Sequence, residues 1–88
     1  MTTLSEELQE VGSVSHFFTK ISVAIIELTD TLSVGDRIRI TGPTTYLDQQ
    51  IESMEIEHEK VQKAQANQSI GLMVKERVRK NDVVYKIV

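Results

Sequence analysis

The sequence predicts an all-β fold, and three segments of the 88-residue chain carry that prediction. Residues 32–42 combine a turn signal with an alternation of isoleucine and arginine, which is the period of a strand with one buried face. Residues 11–18 and 21–28 are rich in β-branched and aromatic side chains, which favour strands. Thr19-Lys20 between them suits a tight hairpin or a bend.

The turn in residues 32–42 is the most informative feature of the chain. Gly35 reaches a positive φ at little cost, and Asp36 can accept hydrogen bonds from nearby backbone N–H groups. In the strand that follows, Ile38 and Ile40 point to one face and the two arginines point to the other. The segment therefore predicts a structural role for Gly35 and Asp36 at the entry to a strand.

Residues 47–66 leave two structures open. Leu47, Ile51, Met54, His58 and Val61 recur at steps of four and three residues, with no Gly or Pro between them. That spacing favours an amphipathic helix. A strand instead needs Met54, Ile56 and His58 on one face, with a bulge near Ser53.

Length and composition narrow the class of protein. A chain of 88 residues has room for one domain, and no apolar run is long enough to span a bilayer. The absence of cysteine excludes disulfides, thiol catalysis and cysteine-based zinc sites, and it favours a cytoplasmic protein. The net charge of −3 argues against broad non-specific affinity for nucleic acid.

The first residues predict a tail rather than part of the domain. Residues 1–10 are polar and acidic and contain no apolar stretch of the kind that a signal peptide needs. Leu4, Leu8 and Val11 recur at helical spacing, so a turn or two of helix remains an alternative. We expect residues 1–10 to form a flexible tail and residues 11–88 to form a single domain.

Two later segments repeat the combination of turn residues and short strands. Residues 61–74 place an alanine, an asparagine and an Ile-Gly pair in order, and residues 81–87 read as a closing strand. Together with the Val-Gly-Asp turn, these segments resemble the second domain of translational GTPases such as elongation factor Tu. Asn67 and Asn81 stand where that family usually has glycine, and asparagine tolerates the left-handed conformation better than most residues.

The resemblance covers residues 11–88 and implies a small closed antiparallel β-barrel of the translation-factor domain-two type. It implies a long strand over residues 49–57, a loop or short turn over residues 61–66, and a structural role for Gly71 as a turn residue. In that family the barrel is a docking module for transfer RNA or the ribosome. The resemblance therefore implies a non-enzymatic binding module that contacts RNA or the ribosome.

The sequence lacks the groups that GTPases and most enzymes need. A Gly-x-x-x-x-Gly-Lys-Ser/Thr phosphate loop is absent, so we expect no GTP binding. His16 and His58 have no second histidine or cysteine at ligand spacing, and the serines carry no nucleophile-elbow pattern. We therefore expect no metal, no cofactor and no catalytic site.

One dense group of positive charge is the candidate contact site: Lys75, Arg77, Arg79 and Lys80. In an extended chain Lys75, Arg77 and Arg79 share a face. Two interpretations remain, namely cross-strand pairing with the glutamates of residues 52–59, and a patch that contacts RNA phosphate or an acidic protein surface.

Phe17 and Phe18 are adjacent, so a regular strand turns one inward and the other outward. The outward ring is either covered by the tail or by an end of the barrel, or it contacts a partner.

A second function stays open beside RNA or ribosome binding. Related barrels are appended to collagenase-like peptidases, so the alternative is a protein–protein interaction module that docks onto a separately encoded enzyme of that kind. The net negative charge of the chain favours a protein partner, whereas the basic cluster favours RNA. A small-molecule ligand has little support, because so small a barrel is filled by its own side chains.

Overall fold

The computed structural model describes residues 7–88, and its secondary structure there is all-β, as predicted. Ten strands follow one another along the chain: β1 (Leu8–Phe18), β2 (Val23–Leu28), β3 (Leu32–Ser33), β4 (Arg37–Gly42), β5 (Thr45–Gln50), β6 (Met54–Ile56), β7 (Glu59–Val61), β8 (Lys63–Ala64), β9 (Ser69–Met73) and β10 (Val83–Ile87). The strands predicted over residues 11–18, 21–28 and 37–41 are thereby confirmed to within a few residues.

Eight strands form one antiparallel sheet in the order β5-β4-β10-β1-β2-β9-β6-β7, and β3 pairs with β8 in a separate two-stranded ribbon. The order has two ends, and within residues 7–88 no ladder joins β5 to β7. The expected closed barrel is therefore not what the pairing shows, because the sheet remains open. One side chain links β5 to β9 without a ladder: Gln49 Nε2 donates to the Met73 carbonyl at 3.0 Å.

The core lies on the inner face of the curved sheet. Ile38 and Ile40 of β4 are fully buried, as the alternation predicted, and Ala24, Ile26 and Leu28 alternate inward along β2. Fully burying an isoleucine is worth about 1.5–3 kcal/mol relative to leaving it exposed. Apolar burial on this face therefore stabilises the fold, while the opposite face of the same strands remains available for other contacts.

The turn before β4 has the predicted conformation. Gly35 has a φ of 96°, and Asp36 Oδ2 accepts the Ser33 N–H at 2.9 Å. Asn67 and Asn81 have φ values of 73° and 76°, so both occupy the left-handed region expected of them. Gly71 differs from the prediction, because it lies in the middle of β9 and has no positive φ. It is a strand residue rather than a turn residue.

The segment that left two structures open contains no helix. Leu47, Gln49 and Ile51 alternate inward, and an irregular step over residues 51–53 then brings Met54 inward. Leu47, Ile51 and Met54 are therefore four and three residues apart, which is also the spacing of residues on one face of a helix. The break falls close to Ser53, where the strand alternative placed a bulge.

The long strand implied over residues 49–57 is also wrong, because its two halves pair with different partners. β5 pairs with β4, whereas β6 pairs with β9. Between them, Ile51 bonds through its backbone to the turn at residues 35–36 instead of to a ladder. The loop expected over residues 61–66 contains the end of β7 and all of β8.

Residues 8–10, which the sequence assigned to a flexible tail, instead belong to β1 and pair with β10. Residues 1–6 lie outside the described part of the chain. Within residues 7–88 no helix is long and apolar enough to cross a membrane.

Candidate protein-docking surface

The outer face of β2 and β9 is apolar. Since β2 buries the side chains of alternate residues, Val23 and Ile25 point outward and are only half-buried. Across the ladder, Val23 lies opposite Met73 and Ile25 lies opposite Gly71. The Met73 side chain is 64% exposed. Over residues 23–26 both faces of β2 are therefore apolar, and only the inner face contacts the core. The next outward residue is Glu27, which accepts a hydrogen bond from the Ser69 hydroxyl at 2.7 Å.

The hairpin between β1 and β2 extends this outer surface. Phe18 at the end of β1 is 44% exposed, and Ile21 in the turn is 60% exposed. We call Phe18, Ile21, Val23, Ile25 and Met73 the apolar face. A contiguous exposed apolar surface on a small domain marks a contact site more often than isolated exposed residues do.

The adjacent phenylalanines behave as the sequence predicted. Phe17 is half-buried and packs against the core, whereas Phe18 is turned outward. The Phe18 ring packs edge-on against His16, with the two ring centroids 4.4 Å apart. This contact holds the Phe18 ring on the outer surface beside Ile21.

The basic cluster lies in the irregular segment after β9, not in a strand. Val74 and Val78 are buried and hold this segment against the domain. The Val74 N–H donates to the Ser22 carbonyl at 2.9 Å, and the Arg79 N–H donates to Asp82 Oδ2 at 2.8 Å. The backbone is thus held in place while the charged groups remain in solvent.

The structure separates the four basic residues, so the prediction of one shared strand face is wrong. Arg77, Arg79 and Lys80 line a shallow depression of about 250 Å³ together with residues of the first hairpin. Lys75 lies apart, and its backbone N–H donates to Gln49 Oε1 at 2.9 Å. We call Arg77, Arg79 and Lys80 the basic loop, which lies beside His16, Phe17 and Thr19 of the first hairpin.

The alternative of cross-strand pairing is not what the described residues show. Within residues 7–88 the basic cluster forms no ion pair with the glutamates of residues 52–59. Ion pairs in this part of the chain join other residues, among them Lys86 and Asp36, whose charged atoms are 3.6 Å apart. The positive charge of the basic loop is therefore available to a contact outside this chain.

A stronger ion pair stabilises β4 against β5. The Arg39 guanidinium contacts both Asp48 carboxylate oxygens, at 2.6 and 2.8 Å, and lies 5.2 Å from the centre of the Tyr46 ring. The hydrogen bond from Arg39 is the main cause that lowers the pKa of Asp48. This pair lies across the β4–β5 ladder, and we assign it a structural role.

The two histidines lie apart, with His16 at the end of β1 and His58 in the turn after β6, and both are exposed. No group of three or more His, Cys, Asp or Glu side chains that could hold a metal ion occurs within the described residues.

Sequence reasoning missed the apolar face, although a signal for it was present. Residues 23–26 are an unbroken apolar run, Val-Ala-Ile-Ile, which in a strand makes both faces apolar. In an antiparallel sheet whose outer face meets solvent, such a run predicts an exposed apolar surface. In the sequence, the dense charge of residues 75–80 is a more conspicuous candidate site than this apolar run.

No protein-family model matches this chain. Two curated proteins are similar in sequence over 86% of it, both at 40% identity: an uncharacterised protease of Methanocaldococcus jannaschii, over 77 residues, and a collagenase of Porphyromonas gingivalis, over 78 residues. The chain spans only 19% and 22% of the length of these relatives.

Two solved structures share the fold. Both are crystal structures of the C-terminal domain of a putative U32 peptidase from Geobacillus thermoleovorans, each with a TM-score of 0.82. The selenomethionine variant is 19% identical, and the match covers 86% of this chain and 96% of that one. The other structure is 20% identical, and the match covers 98% of this chain and 97% of that one. This chain therefore shares its fold with the C-terminal domain of that putative U32 peptidase.

These likenesses overturn the resemblance to translational GTPases, and with it RNA or the ribosome as partner. The motifs behind that resemblance are a Gly-Asp turn before a strand, an Ile-Gly pair within a strand, and an Asn-Asp turn before the last strand. All three are local solutions to the geometry of small antiparallel sheets, and unrelated domains can share them. The protein-interaction alternative agrees better with the relatives.

Proposed function

We propose that this chain is a non-catalytic docking domain that binds a collagenase-type peptidase unit through the apolar face. The observation that carries the proposal is the contiguous exposure of Phe18, Ile21 and Met73 on the outer surface of an otherwise ordinary domain. Full burial of a fully exposed large apolar side chain is worth about 1.5–3 kcal/mol, and these three, which are 44–64% exposed, gain part of that amount. Part of that gain is offset by the entropy lost on association.

The relatives supply the kind of partner. Proteins named as a protease and a collagenase contain a stretch similar to this chain that makes up about a fifth of their length. The remaining four-fifths leave room for the catalytic unit of such a protein. A domain that accompanies a larger catalytic unit needs a surface to contact it, and the apolar face supplies one.

The proposal assigns no catalytic step to this chain. The two histidines are both exposed and lie on different strands and turns, so they do not form an acid–base pair. The chain also has no cysteine that could act as a nucleophile.

The basic loop lies near this surface without being part of it. Arg77, Arg79 and Lys80 line a depression with His16, whose ring packs against Phe18 of the apolar face. Charges at the border of an interface mainly speed association and orient the partners, while the apolar centre supplies most of the affinity. We therefore assign the basic loop a secondary contact with an acidic part of the same partner.

The test is a binding titration with the Porphyromonas gingivalis collagenase from which the 78 matched residues have been deleted, after its folding has been checked by a thermal melt. The variant Ile21→Ser, Met73→Ser removes two exposed apolar side chains. The matched control is Tyr46→Ser, since Tyr46 is 65% exposed on β5 and outside the apolar face. We expect binding to weaken about tenfold or more in the double variant, and less than about twofold in the control.

Two results would contradict the proposal. The first is no binding of the wild-type chain to the folded collagenase unit at concentrations up to the millimolar range. The second is equal weakening by Tyr46→Ser, because the apolar face would then have no special part in the contact. Hydrolysis of gelatin by the chain alone would contradict its non-catalytic assignment.

A further inference from the structure

A groove crosses the outer side of the sheet where β9 lies between β2 and β6. Its floor is formed by Val23, Ile25 and Gly71, and its volume is about 340 Å³. Phe18 and Ile21 of the first hairpin form one wall. The other wall is acidic, with the side chains of Glu55 and Glu57 from the hairpin that joins β6 to β7.

The groove exists because residue 71 has no side chain. A Cβ built on Gly71 would meet Val23 Cγ1 at 3.7 Å and Ile25 Cδ1 at 3.9 Å, which is ordinary van der Waals contact. Its φ is not positive, so neither the backbone nor its neighbours require glycine here. Glycine inside a strand is destabilising, and it often marks a place where another chain or a ligand approaches closely.

Strained turns lie on both sides of the groove. Ser22, next to Ile21, has a φ of 55°, and Glu57 and His58 have φ values of 50° and 68°. Two-residue hairpin turns with positive φ at both positions strongly favour Asn-Gly, so glutamate and histidine are costly here. Backbone strain of this kind is found preferentially at functional sites.

The charge of the groove is one-sided. Glu55 and Glu57 line one wall together with His58, and no lysine or arginine is among the residues that line the groove in the described part of the chain. Lys60 lies opposite Glu55 in the β6–β7 ladder, but the two form no ion pair within that part. An apolar floor beside two carboxylates is complementary to an apolar side chain next to a cationic one.

We propose that this groove binds an extended segment of the peptidase unit, which inserts an apolar side chain above Gly71 and places a neighbouring lysine or arginine against Glu55 and Glu57. The inference rests on the proposed function for the identity of the partner. The groove itself can be tested without that partner.

The probe is a blocked tripeptide, Ac-Lys-Leu-Lys-NH2, titrated into the ¹⁵N-labelled chain and followed by NMR. The matched probe is Ac-Glu-Leu-Glu-NH2. A short peptide with a single apolar anchor should bind weakly, with a Kd on the order of 1 mM. We expect amide shifts centred on Ile25, Glu55 and Gly71 with the basic peptide, and none there with the acidic one.

Three variants test the contacts. Gly71→Val places a side chain in the floor of the groove and should abolish the shifts. Its Cβ has ordinary contacts, so we expect the variant to fold. Glu55→Gln, Glu57→Gln keeps the shape and should weaken binding about fivefold or more. Glu10→Gln, Glu76→Gln removes the same charge outside the groove and should leave binding within about twofold.

Retained shifts in the folded Gly71→Val variant, or equal shifts with the acidic peptide, would overturn the inference. Shifts at the groove that appear on concentrating the chain without peptide would also overturn it, since a second copy would then be the occupant. If the collagenase unit binds wild type and Gly71→Val equally, the groove is not the contact although the proposed function stands. If the basic peptide binds in the groove but the collagenase unit does not bind, the inference on groove chemistry is supported and the proposed function fails.

Discussion

Gly35 and Gly71 belong to motifs of similar appearance, yet the structure gives them opposite roles. Gly35 has a φ of 96°, and a Cβ built there meets nothing within 4 Å. Gly71 has no positive φ, and its Cβ would make only ordinary contacts. Neither position excludes a side chain for lack of space. The two differ in backbone conformation alone, so the first glycine is needed by the fold and the second is not.

The same difference separates the two kinds of turn. At residues 33–36 the positive φ falls on glycine, the residue that adopts it most readily. In the turn at residues 57–58 it falls on glutamate and histidine, which adopt it only at a cost. The groove lies between this strained turn and Gly71, and neither feature favours the stability of the fold. Both agree with the binding role that we propose for the groove.

The largest expected effect is the contrast between Gly35→Val and Gly71→Val. Valine at position 35 should destabilise the chain by about 1–3 kcal/mol, because the left-handed region is strained for a β-branched residue. Valine at position 71 should be neutral or should stabilise by up to about 1 kcal/mol, since strands favour it. Urea unfolding of the three proteins measures both values. Equal losses in the two variants would break the comparison.

The next effect concerns the turn at residues 57–58. The double substitution Glu57→Asn, His58→Gly should stabilise the chain by about 1–2 kcal/mol, because asparagine and glycine suit a turn with two positive φ values. Thermal melts give the change, and roughly 4–8 °C in Tm accompanies each kcal/mol in a domain of this size. The control is Gln65→Asn, Ala66→Gly, exposed residues without positive φ, which should not stabilise. A lower Tm in the first variant would show that these residues are not strained.

A smaller effect comes from the side chain that follows Gly35. Asp36→Ala removes the hydrogen bond to the Ser33 N–H and the pairing with Lys86, and should cost about 1 kcal/mol. Lys86→Ala tests the second contact separately and should cost less, because the pair is partly exposed and its charged atoms are 3.6 Å apart. The same urea series resolves the order. A loss from Asp36→Ala as large as that from Gly35→Val would mean that side-chain bonding, not φ, defines this turn.

The smallest expected effect is the pH dependence of stability that comes from the Arg39–Asp48 ion pair between β4 and β5. The pKa of Asp48 lies below its ordinary value of 3.8, chiefly because of the hydrogen bond from Arg39. Its contribution to stability is therefore full above that pH and declines as the pH falls through the lowered pKa. Asp48→Asn should cost less than about 1 kcal/mol at pH 7, since both side chains are partly exposed. It should flatten the stability profile below about pH 3.8 relative to wild type, and an unchanged acid limb would contradict this.

Features that depend on a few neighbouring residues were readable from the sequence. The turn at Gly35, the inward alternation of Ile38 and Ile40, and the left-handed asparagines at positions 67 and 81 all agree with the structure. Each follows from local backbone geometry and the two-residue period of a strand. The resemblance to a translation factor was wrong because it also rested on local features, and different families share such features.

Tertiary pairing decided the rest. Whether the segment from residue 47 onward is helix, one strand or two depends on β4 and β9, which lie on different sides of it in sequence, and the spacing of its apolar residues fits more than one answer. The apolar face and the groove exist only because the ladder places Val23 opposite Met73 and Ile25 opposite Gly71. Sequence alone thus determined the strands around residues 11–28 and 37–41 and the turns at Gly35, Asn67 and Asn81. Only long-range strand pairing decided that the sheet stays open and that its outer face can receive a partner.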